Sequence, residues 1–305
     1  MIAGQGNRAN IYANDNLILG HVNNVSTCIH SLIAGVSNIV SSSIERVTRG
    51  AFVSGGDNRV MTSFSHTEGR YNSTFGYAAH IQGLNNTTLA PYSHTLGLCT
   101  HNKIPCSQTY GNGFFVDGLI TPVIGSAQTN IVTMTCGTSA ANTYKPLFYW
   151  NPATEDIRTW NTNWSTLSTI VMSNESFAMT QTYNIALTAY NSNGGGTAGK
   201  GYYYAEYKAS LYFDTPATTL YIGNIVGNTF TVATASPVTL TATSAANNLA
   251  NAPTITFRAR ANVLNLGLRA AHIGFEVASS DARVTNYYAH IRIDEMMRPV
   301  IDPYF

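Results

Sequence analysis

The chain has 305 residues and a mass of 32.9 kDa, and its 16 basic and 15 acidic residues leave a net charge of +1. Only 10% of the residues are charged, against about 25% in an ordinary globular domain. The absence of a basic excess argues against nucleic acid or anionic membrane as a partner, whereas the ordinary hydrophobic share of 44% predicts a folded chain.

The start of the sequence contains no secretory signal, and no apolar run approaches the roughly 18 residues of a membrane span. We therefore expect no membrane insertion. The cysteines form no C-x-x-C pair and are too few for a disulfide framework. They are Cys28, Cys99, Cys106 and Cys136. The sequence predicts four buried thiols in a protein that is assembled in a reducing compartment.

Glycine recurs through the first third of the chain, and from Gly55 onward the step is 14 residues. The recurring glycines are Gly20, Gly35, Gly50, Gly55, Gly69, Gly83, Gly97 and Gly111. A unit of this length accommodates two strands of about five residues and two tight turns, which make one coil of a parallel β-solenoid. The sequence predicts a β-roll shaft of 14- to 15-residue repeats over residues 1–111.

The repeat also predicts the roles of its columns. Glycine is expected to supply a positive φ at one corner of each coil, and a column of asparagines is expected to serve the other corner. The asparagines are Asn24, Asn38, Asn58, Asn72 and Asn86. Two columns are expected to fill a thin interior: Leu17, Leu32 and Val47, and Ile18, Ile33 and Ile81. The coils carry more apolar residues than such an interior can hold, so we expect them to pack against copies of the same chain in a homotrimer.

A histidine column lies within the repeats, because His66, His80 and His94 occupy the same position in three consecutive coils. The column could hold a metal ion or an anion, since imidazole is a common metal ligand. Alternatively, it is a ladder of neutral rings, each hydrogen-bonded to the next coil or to a backbone carbonyl. No Cys, Asp or Glu shares the column, which favours the neutral ladder, and we expect no metal and no cofactor.

The periodicity stops after Gly111, and residues 112–165 are predicted to form a neck or collar. All three tryptophans of the chain, Trp150, Trp160 and Trp164, lie in this segment. Tryptophan is favoured on sugar-binding surfaces because a large ring is combined with a polar handle. The alternative, which we favour, is a hydrophobic plug where the shaft widens.

Residues 166–305 contain alternating strand patterns and predict an antiparallel β-sandwich head of jelly-roll type. In the segment KGYYYAEYKASLYFD, Ala205, Tyr207 and Ala209 fall on one face, and several tyrosines fall on the other. The candidate receptor-binding residues are the tyrosines Tyr202, Tyr204 and Tyr212, together with the three tryptophans.

The run SHTEGRYNSTFGYAAHIQGLNNTTLAPYSHTLG resembles the repeats in the heads of trimeric autotransporter adhesins. It is still more similar to the SHAEG-type repeats of bacteriophage tail-fibre and neck-appendage proteins. This resemblance covers residues 6–111 and implies a left-handed β-roll, three chains side by side, and a rod that carries a domain at its tip. The order of YKASLYFD, HIGFEVASSDARV and YYAHIRIDEM resembles the C-terminal end of many phage fibre chains.

The sequence contains no G-x-S-x-G, P-loop, H-E-x-x-H or C-x-x-C motif, so we expect no enzyme. The expected function is a structural virion fibre of a bacteriophage, assembled in the host cytoplasm, which mediates attachment to a host-surface glycan or protein. Its N-terminal end is expected to contact other virion proteins. The alternatives are a capsid or collar decoration without a receptor, because the repeats begin near Gly6, and a polysaccharide depolymerase. A bacterial adhesin is disfavoured by the missing signal peptide.

Overall fold

In a computed structural model of the chain, all regular secondary structure within the described residues is β-strand, which confirms the predicted all-β class. The described residues are 1–10, 15–41, 48–102, 104–111, 127–138, 140–148, 169–173, 179–191, 201–214, 219–226, 229–233, 237–247, 254–265, 270–280 and 285–297. Within these ranges no helix is long and apolar enough to cross a membrane. The chain divides into two compact units, Met1–Asn130 and Ile131–Phe305.

The first unit is a parallel β-solenoid of about seven coils, as the glycine spacing predicts. One side consists of eight strands, here called the long strands, which pair in parallel with their nearest equivalents along the chain. The long strands are Ile2–Gln5, Leu17–His21, Leu32–Val36, Phe52–Gly56, His66–Arg70, His80–Leu84, His94–Leu98 and Gln108–Gly111. Equivalent residues therefore form columns along the solenoid.

A second side consists of seven two-residue strands, also parallel. These short strands are Arg8–Ala9, Asn24–Val25, Ile39–Val40, Arg59–Val60, Ser73–Thr74, Thr87–Thr88 and His101–Asn102. Cys28–Ile29 pairs with Thr48–Arg49 as a further small parallel pair. The thiols expected from the sequence are free, with Cys28, Cys99 and Cys136 buried and Cys106 half-buried.

The interior of the solenoid changes in character along its length. Ile18, Ile33 and Ile81 are fully buried, as the sequence predicts, whereas Leu17 and Leu32 of the second expected column are only half-buried and Val47 lies outside the described residues. Thr67, Thr95 and Thr109 occupy positions equivalent to Ile81, and the hydroxyls of Thr67 and Thr74 are 2.7 Å apart across the interior. A threonine pair of this kind satisfies its own hydrogen bonds, so a narrow interior tolerates it without water.

The predicted corner glycines do not lie at a corner, with one exception. Most of them occupy the fourth position of a long strand, where φ is between 107° and 126°. They are Gly20, Gly35, Gly55, Gly69, Gly83 and Gly97. At this position a Cβ would collide with the carbonyl of the next glycine; for Gly69 the gap to the oxygen of Gly83 would be 2.0 Å. Close approach of the strands, and not a turn, requires glycine here.

Gly50 lies outside this column, and Gly111 lies in it without a positive φ. Gly35 pairs directly with Gly55, so the coil between them is 20 residues long, and residues 42–47 of that coil lie outside the described part. Gly50 stands instead in the column of His30 and Phe64, which is a true corner, with φ of 60°, 54° and 55° respectively. Gly111 pairs with Gly97 but is not among the residues with positive φ.

The asparagine column begins with Asn7, whose Oδ1 accepts a hydrogen bond from the backbone N–H of Asn23. The column does not include Asn24, which is exposed. Its role also differs from the prediction. The positive φ, between 55° and 58°, belongs to the residue before each of these asparagines: Val22, Ser37, Asp57, Tyr71 and Asn85. Cys99 adopts the same conformation before Thr100, which takes the next position of the column. The asparagines are selected for their amide side chains, because each one bonds to two neighbouring coils.

Asn72 shows the pattern that the other asparagines repeat. Its backbone N–H donates to Oδ1 of Asn58 at 3.0 Å, and its own Oδ1 accepts from the N–H of Asn86 at 3.0 Å. Its Nδ2 donates to the carbonyls of Glu68 and Gly83, both at 2.9 Å. The side chain thus satisfies backbone groups at a turn that lacks ordinary strand partners.

The second unit contains two sheets whose strands are mainly antiparallel. In the first sheet the antiparallel order is Thr285–Met297, Met179–Asn191, Gly201–Asp214, Thr219–Val226 and Thr229–Ala233. Ala242–Asn247 also pairs with Gly201–Asp214, and Ala127–Thr138 lies beside Thr285–Met297. In the second sheet it is Lys145–Pro146, Ala270–Ser279, Ile255–Asn265 and Val238–Leu240, with Thr169–Ser173 also on Ala270–Ser279.

Alternation along these strands gives each sheet one buried face. Ala205, Tyr207 and Ala209 are buried, and the residues between them are exposed, as predicted. Aromatic rings connect the buried faces: the centroids of Tyr207 and Phe257 are 4.7 Å apart, and those of Tyr183 and Phe275 are 5.5 Å apart. The outer face of the first sheet is therefore the one left to solvent.

Candidate functional site

The predicted receptor-binding residues fall into three groups. The three tryptophans, Trp150, Trp160 and Trp164, lie outside the described residues. Tyr212 lies in Gly201–Asp214, where its backbone pairs with Thr180 and Tyr221, and its side chain is outside the described part. Tyr202 and Tyr204 lie on the outer face of the same strand, and their side chains are within the described part.

Tyr202 and Tyr204 belong to a larger cluster on three adjacent strands. Tyr202 is directly opposite Tyr190, while Tyr204 and Tyr288 both lie opposite Thr188. Directly opposed residues on one sheet face have Cβ atoms about 4.5–5.5 Å apart. Tyr190, Tyr202, Tyr204 and Tyr288 thus occupy neighbouring positions on one sheet face, with Thr188 between Tyr204 and Tyr288, and are here called the tyrosine platform. Three of its members are 40–49% exposed, which is high for tyrosine on a sheet.

A carboxylate adjoins the platform. Tyr204 donates its hydroxyl hydrogen to Oε1 of Glu206 at 2.7 Å, and the hydroxyl of Ser244 donates to Oε2 of the same carboxylate at 3.0 Å. These two hydrogen bonds, that from Tyr204 first, lower the pKa of Glu206. The pKa of Tyr204 is raised, mainly because its hydroxyl donates to Glu206. The pair therefore holds a carboxylate beside a neutral phenol at neutral pH.

Other charged and titratable side chains share this outer face of the sheet. Lys208 follows Glu206 on the same face, and His290 shares the row of Glu206 across Ala186. Further along, Arg292 contacts the carboxylate of Asp294, with Nε and Oδ1 3.0 Å apart. The platform itself carries no charge, and its nearest charged neighbour along Gly201–Asp214 is Glu206.

Tyr190 and Tyr288 were not among the residues predicted from the sequence. Period two alone places both of them outside, because Ala189 and Tyr287 beside them are buried. What the sequence does not supply is the register, which brings Met179–Asn191 and Thr285–Met297 next to Gly201–Asp214. Without it, four outward tyrosines from separate segments cannot be recognised as one surface.

The histidine column of the solenoid forms a stacked ladder. The ring centroids of His66 and His80 are 4.4 Å apart, as are those of His80 and His94, with interplanar angles of 12° and 23°. Phe52 continues the column with its ring edge-on to His66 at 4.5 Å. The rings contact each other along the solenoid through their faces.

The environment of the ladder favours neutral imidazole. Burial, followed by the charges of the neighbouring histidines, lowers the pKa of His80, and burial followed by the charge of His66 lowers that of His94. The Nε2 atoms of these two rings are buried and have no hydrogen-bond partner among the described residues, and the rings contact each other by stacking. Within the described residues no group of three His, Cys, Asp or Glu side chains is arranged to hold a metal ion.

The outer surface of the solenoid carries many exposed apolar side chains. Those at least 37% exposed are Met1, Ile2, Val22, Val36, Ile39, Phe52, Phe64, Tyr71, Phe75, Tyr77, Leu84, Leu89, Tyr92 and Tyr110. Phe64, Tyr77 and Tyr92 form an aromatic ridge, with centroid separations of 5.7 Å and 5.5 Å. Phe64 and Tyr92 adopt left-handed backbone conformations, which bulky residues rarely occupy. Extended exposed apolar surface of this kind is typical of an interaction site.

The solenoid surface and the tyrosine platform are thus two candidate interaction surfaces, one in each unit of the chain. Both consist of residues that repeat or align across neighbouring strands, and neither contains a catalytic constellation among the described residues. A scan against protein-family models and a search of curated proteins found no match for this chain.

Proposed function

We propose that this protein is a structural virion component of a bacteriophage, a homotrimeric fibre whose solenoid is the shaft and whose second unit is a head that binds a host-surface glycan. The observation that carries the proposal is the exposed apolar surface on a narrow, regular solenoid. The similarity of its SHTEG-type repeats to those of phage fibre and appendage proteins supports the same assignment.

The shape of the coil supports association between copies of the chain, which we propose is trimeric. One coil encloses roughly one layer of side chains, so its outward apolar residues lose contact with water only against another chain. A copy of the same chain repeats its coils at the same rise of about 4.8 Å and can match these columns one for one. In this proposal the aromatic ridge of Phe64, Tyr77 and Tyr92 lies at the contact between copies.

Sedimentation equilibrium of the purified chain tests the assembly. The expected mass is three times the 32.9 kDa of one chain at micromolar concentration. A single species of 32.9 kDa at that concentration would contradict the proposed trimer.

The head is proposed to be a β-sandwich formed by its two sheets. Ring contacts between Tyr183 and Phe275 and between Tyr207 and Phe257 support face-to-face packing, with an apolar layer between the sheets. Replacing Phe257 by Ala should destabilise the head by about 3–5 kcal/mol, because a fully buried ring is lost from between two sheets. Denaturant unfolding of the variant measures this loss.

Glycan binding is assigned to the tyrosine platform. Flat aromatic rings stack on the C–H faces of sugars, and three copies in one trimer convert weak sites into avidity. Tyr204→Ala should abolish adsorption of the protein to host cells and to a glycan array. Lys208→Gln, which changes an exposed residue of the same strand outside the platform, serves as the control and should leave adsorption unchanged. Equal adsorption by both variants would refute the assignment.

Two further parts of the proposal have direct tests. Gold-labelled antibody on intact particles should mark the tail fibre, whereas labelling of the capsid or collar would show a decoration protein instead. The protein is proposed to bind polysaccharide without cleaving it, so incubation with capsular polysaccharide should release no reducing ends.

A further inference from the structure

The hydrogen-bonded chain of Tyr204, Glu206 and Ser244 defines what the tyrosine platform can bind, and this inference depends on the glycan-binding function proposed above. Tyr204 and Glu206 are two residues apart on one strand and lie on the same face, about 6.6 Å from each other along the backbone. The Tyr204 hydroxyl reaches the Glu206 carboxylate, so the side chain leans along the strand. A ring that leans along the strand can offer its flat face to a ligand.

The carboxylate keeps acceptor capacity after both internal bonds are formed. An ionised carboxylate offers about four acceptor sites, of which the hydroxyls of Tyr204 and Ser244 use two. It has no proton to donate, because its pKa lies below the ordinary value. A ligand stacked on the Tyr204 ring can therefore satisfy Glu206 only with groups that donate a hydrogen, such as sugar hydroxyls or amines.

The charge around the platform separates glycans by class. Glu206 is the charged residue nearest to Tyr204 along Gly201–Asp214, Lys208 lies on its far side from Tyr204, and His290 shares its row across Ala186. Arg292, further away on the same face, contacts Asp294. A uronic or sialic acid carboxylate placed on the platform would face Glu206 with no cation between them, and like charges at such short range repel.

We propose that the tyrosine platform is a binding site for non-acidic glycans, with Tyr204 as the stacking ring and Glu206 as the hydrogen-bond acceptor for sugar hydroxyls. Tyr190, Tyr202 and Tyr288 extend the stacking surface to neighbouring sugar units. Ser244 is a positioning residue, since it orients the carboxylate and does not touch the sugar.

An array of immobilised bacterial polysaccharides, grouped by the presence or absence of uronic and sialic acids, tests the proposal with the full-length protein. The wild-type protein should bind members of the non-acidic group and no members of the acidic group. Preference for acidic polysaccharides would overturn this inference while leaving the glycan-binding function intact. Binding to neither group would refute the function itself and this inference with it.

Variants then test the two roles on the polysaccharides that bind. Glu206→Gln should weaken binding by about tenfold or more, because hydrogen bonds to a charged acceptor are lost. Tyr204→Phe keeps the ring but frees it from Glu206, so it should weaken binding less than Tyr204→Ala. Lys208→Gln is the matched control on the same strand and should bind like the wild type. If Glu206→Gln folds, as judged by its circular dichroism, and binds like the wild type, the assignment of Glu206 is wrong.

Discussion

Steric fit at single residues decides which positions of the solenoid admit no variation. A Cβ on Gly83 would lie 2.0 Å from the carbonyl oxygen of Gly97, and the φ of Gly83 is +126°. Both the contact and the backbone conformation exclude any other residue. Gly56, in contrast, has no atom closer than 3.7 Å to the position of a Cβ.

Gly83→Ala is therefore expected to destabilise the solenoid by more than about 3 kcal/mol, since a backbone carbonyl must move and two coils must separate. Gly56→Ala, at the next position of an equivalent strand, should change the free energy of unfolding by less than about 0.5 kcal/mol. Urea unfolding followed by circular dichroism compares the two. Equal stability of the variants would show that the strands do not approach as closely as described.

At the scale of the element, the coils are joined by side-chain amides as well as by strand pairing. Asn23 is fully buried, and its Nδ2 donates to the carbonyls of Leu19 and Gly35 at 3.0 Å and 2.9 Å. Its Oδ1 accepts from the backbone N–H of Asn38 at 3.1 Å. Its neighbour Asn24 points outward and is exposed.

Asn23→Ala should cost about 3 kcal/mol or more, because it leaves buried carbonyls and a buried N–H without partners. Asn24→Ala makes the same chemical change one residue along the chain and should cost less than about 0.5 kcal/mol. Thermal unfolding of both variants supplies the measurement. If Asn24→Ala were the more damaging variant, the asparagine column would run through position 24, as the sequence alone suggests.

The coil architecture could be predicted because each coil repeats the same steric demand. From Gly55 to Gly97 every long strand needs glycine at the same position, and the spacing records this directly. The coil between Gly35 and Gly55 is longer than the others, and its extra residues change the glycine spacing without changing the register of the strands on either side. Gly50 lies near the expected spacing by chance, although it does not belong to the glycine column.

The limits of prediction were different in the second unit. Alternation identifies the outward side of each strand, which is why Tyr202 and Tyr204 were found. Backbone pairing between distant segments decides that Tyr190 and Tyr288 join them, and that pairing depends on long-range contacts that no local pattern contains. No local pattern indicates a role for Glu206 either, because that role depends on the hydrogen bonds of its carboxylate with Tyr204 and Ser244.

At the scale of the whole molecule, the histidine ladder couples the stability of the shaft to pH. The pKa values of His80 and His94 in the folded chain are below the ordinary value of 6.5. The unfolded chain therefore binds more protons than the folded one as pH falls through 6.5. Stability should be complete above that pH and should decrease below it, until the folded histidines are protonated too.

His80→Gln should reduce the slope of unfolding free energy against pH in this window, since it removes one of the groups whose pKa is lowered. His21→Gln, at an exposed histidine outside the stacked ladder, is the matched control. Urea unfolding at a series of pH values measures the slopes. A stability that rose on acidification would contradict the neutral, stacked ladder.

At the aromatic ridge, the effect of a substitution on association of the chains can be distinguished from its effect on backbone strain. Phe64 and Ala78 occupy equivalent corners with φ of 55° and 51°, and asparagine tolerates this conformation better than either residue. In a single chain, both Phe64→Asn and Ala78→Asn should thus relieve strain, by up to about 1 kcal/mol each. Only Phe64→Asn removes a ring that is 56% exposed in the single chain and that the proposed trimer buries.

Phe64→Asn should therefore weaken association of the chains, whereas Ala78→Asn should leave association unchanged. Loss of much of a Phe side chain from an interface costs about 1.5–3 kcal/mol per chain, which corresponds to at least a tenfold change in the dissociation constant. Sedimentation velocity over a dilution series measures this constant for both variants. If both variants associate like the wild type, the ridge does not lie between copies, and another face of the solenoid must supply the contact.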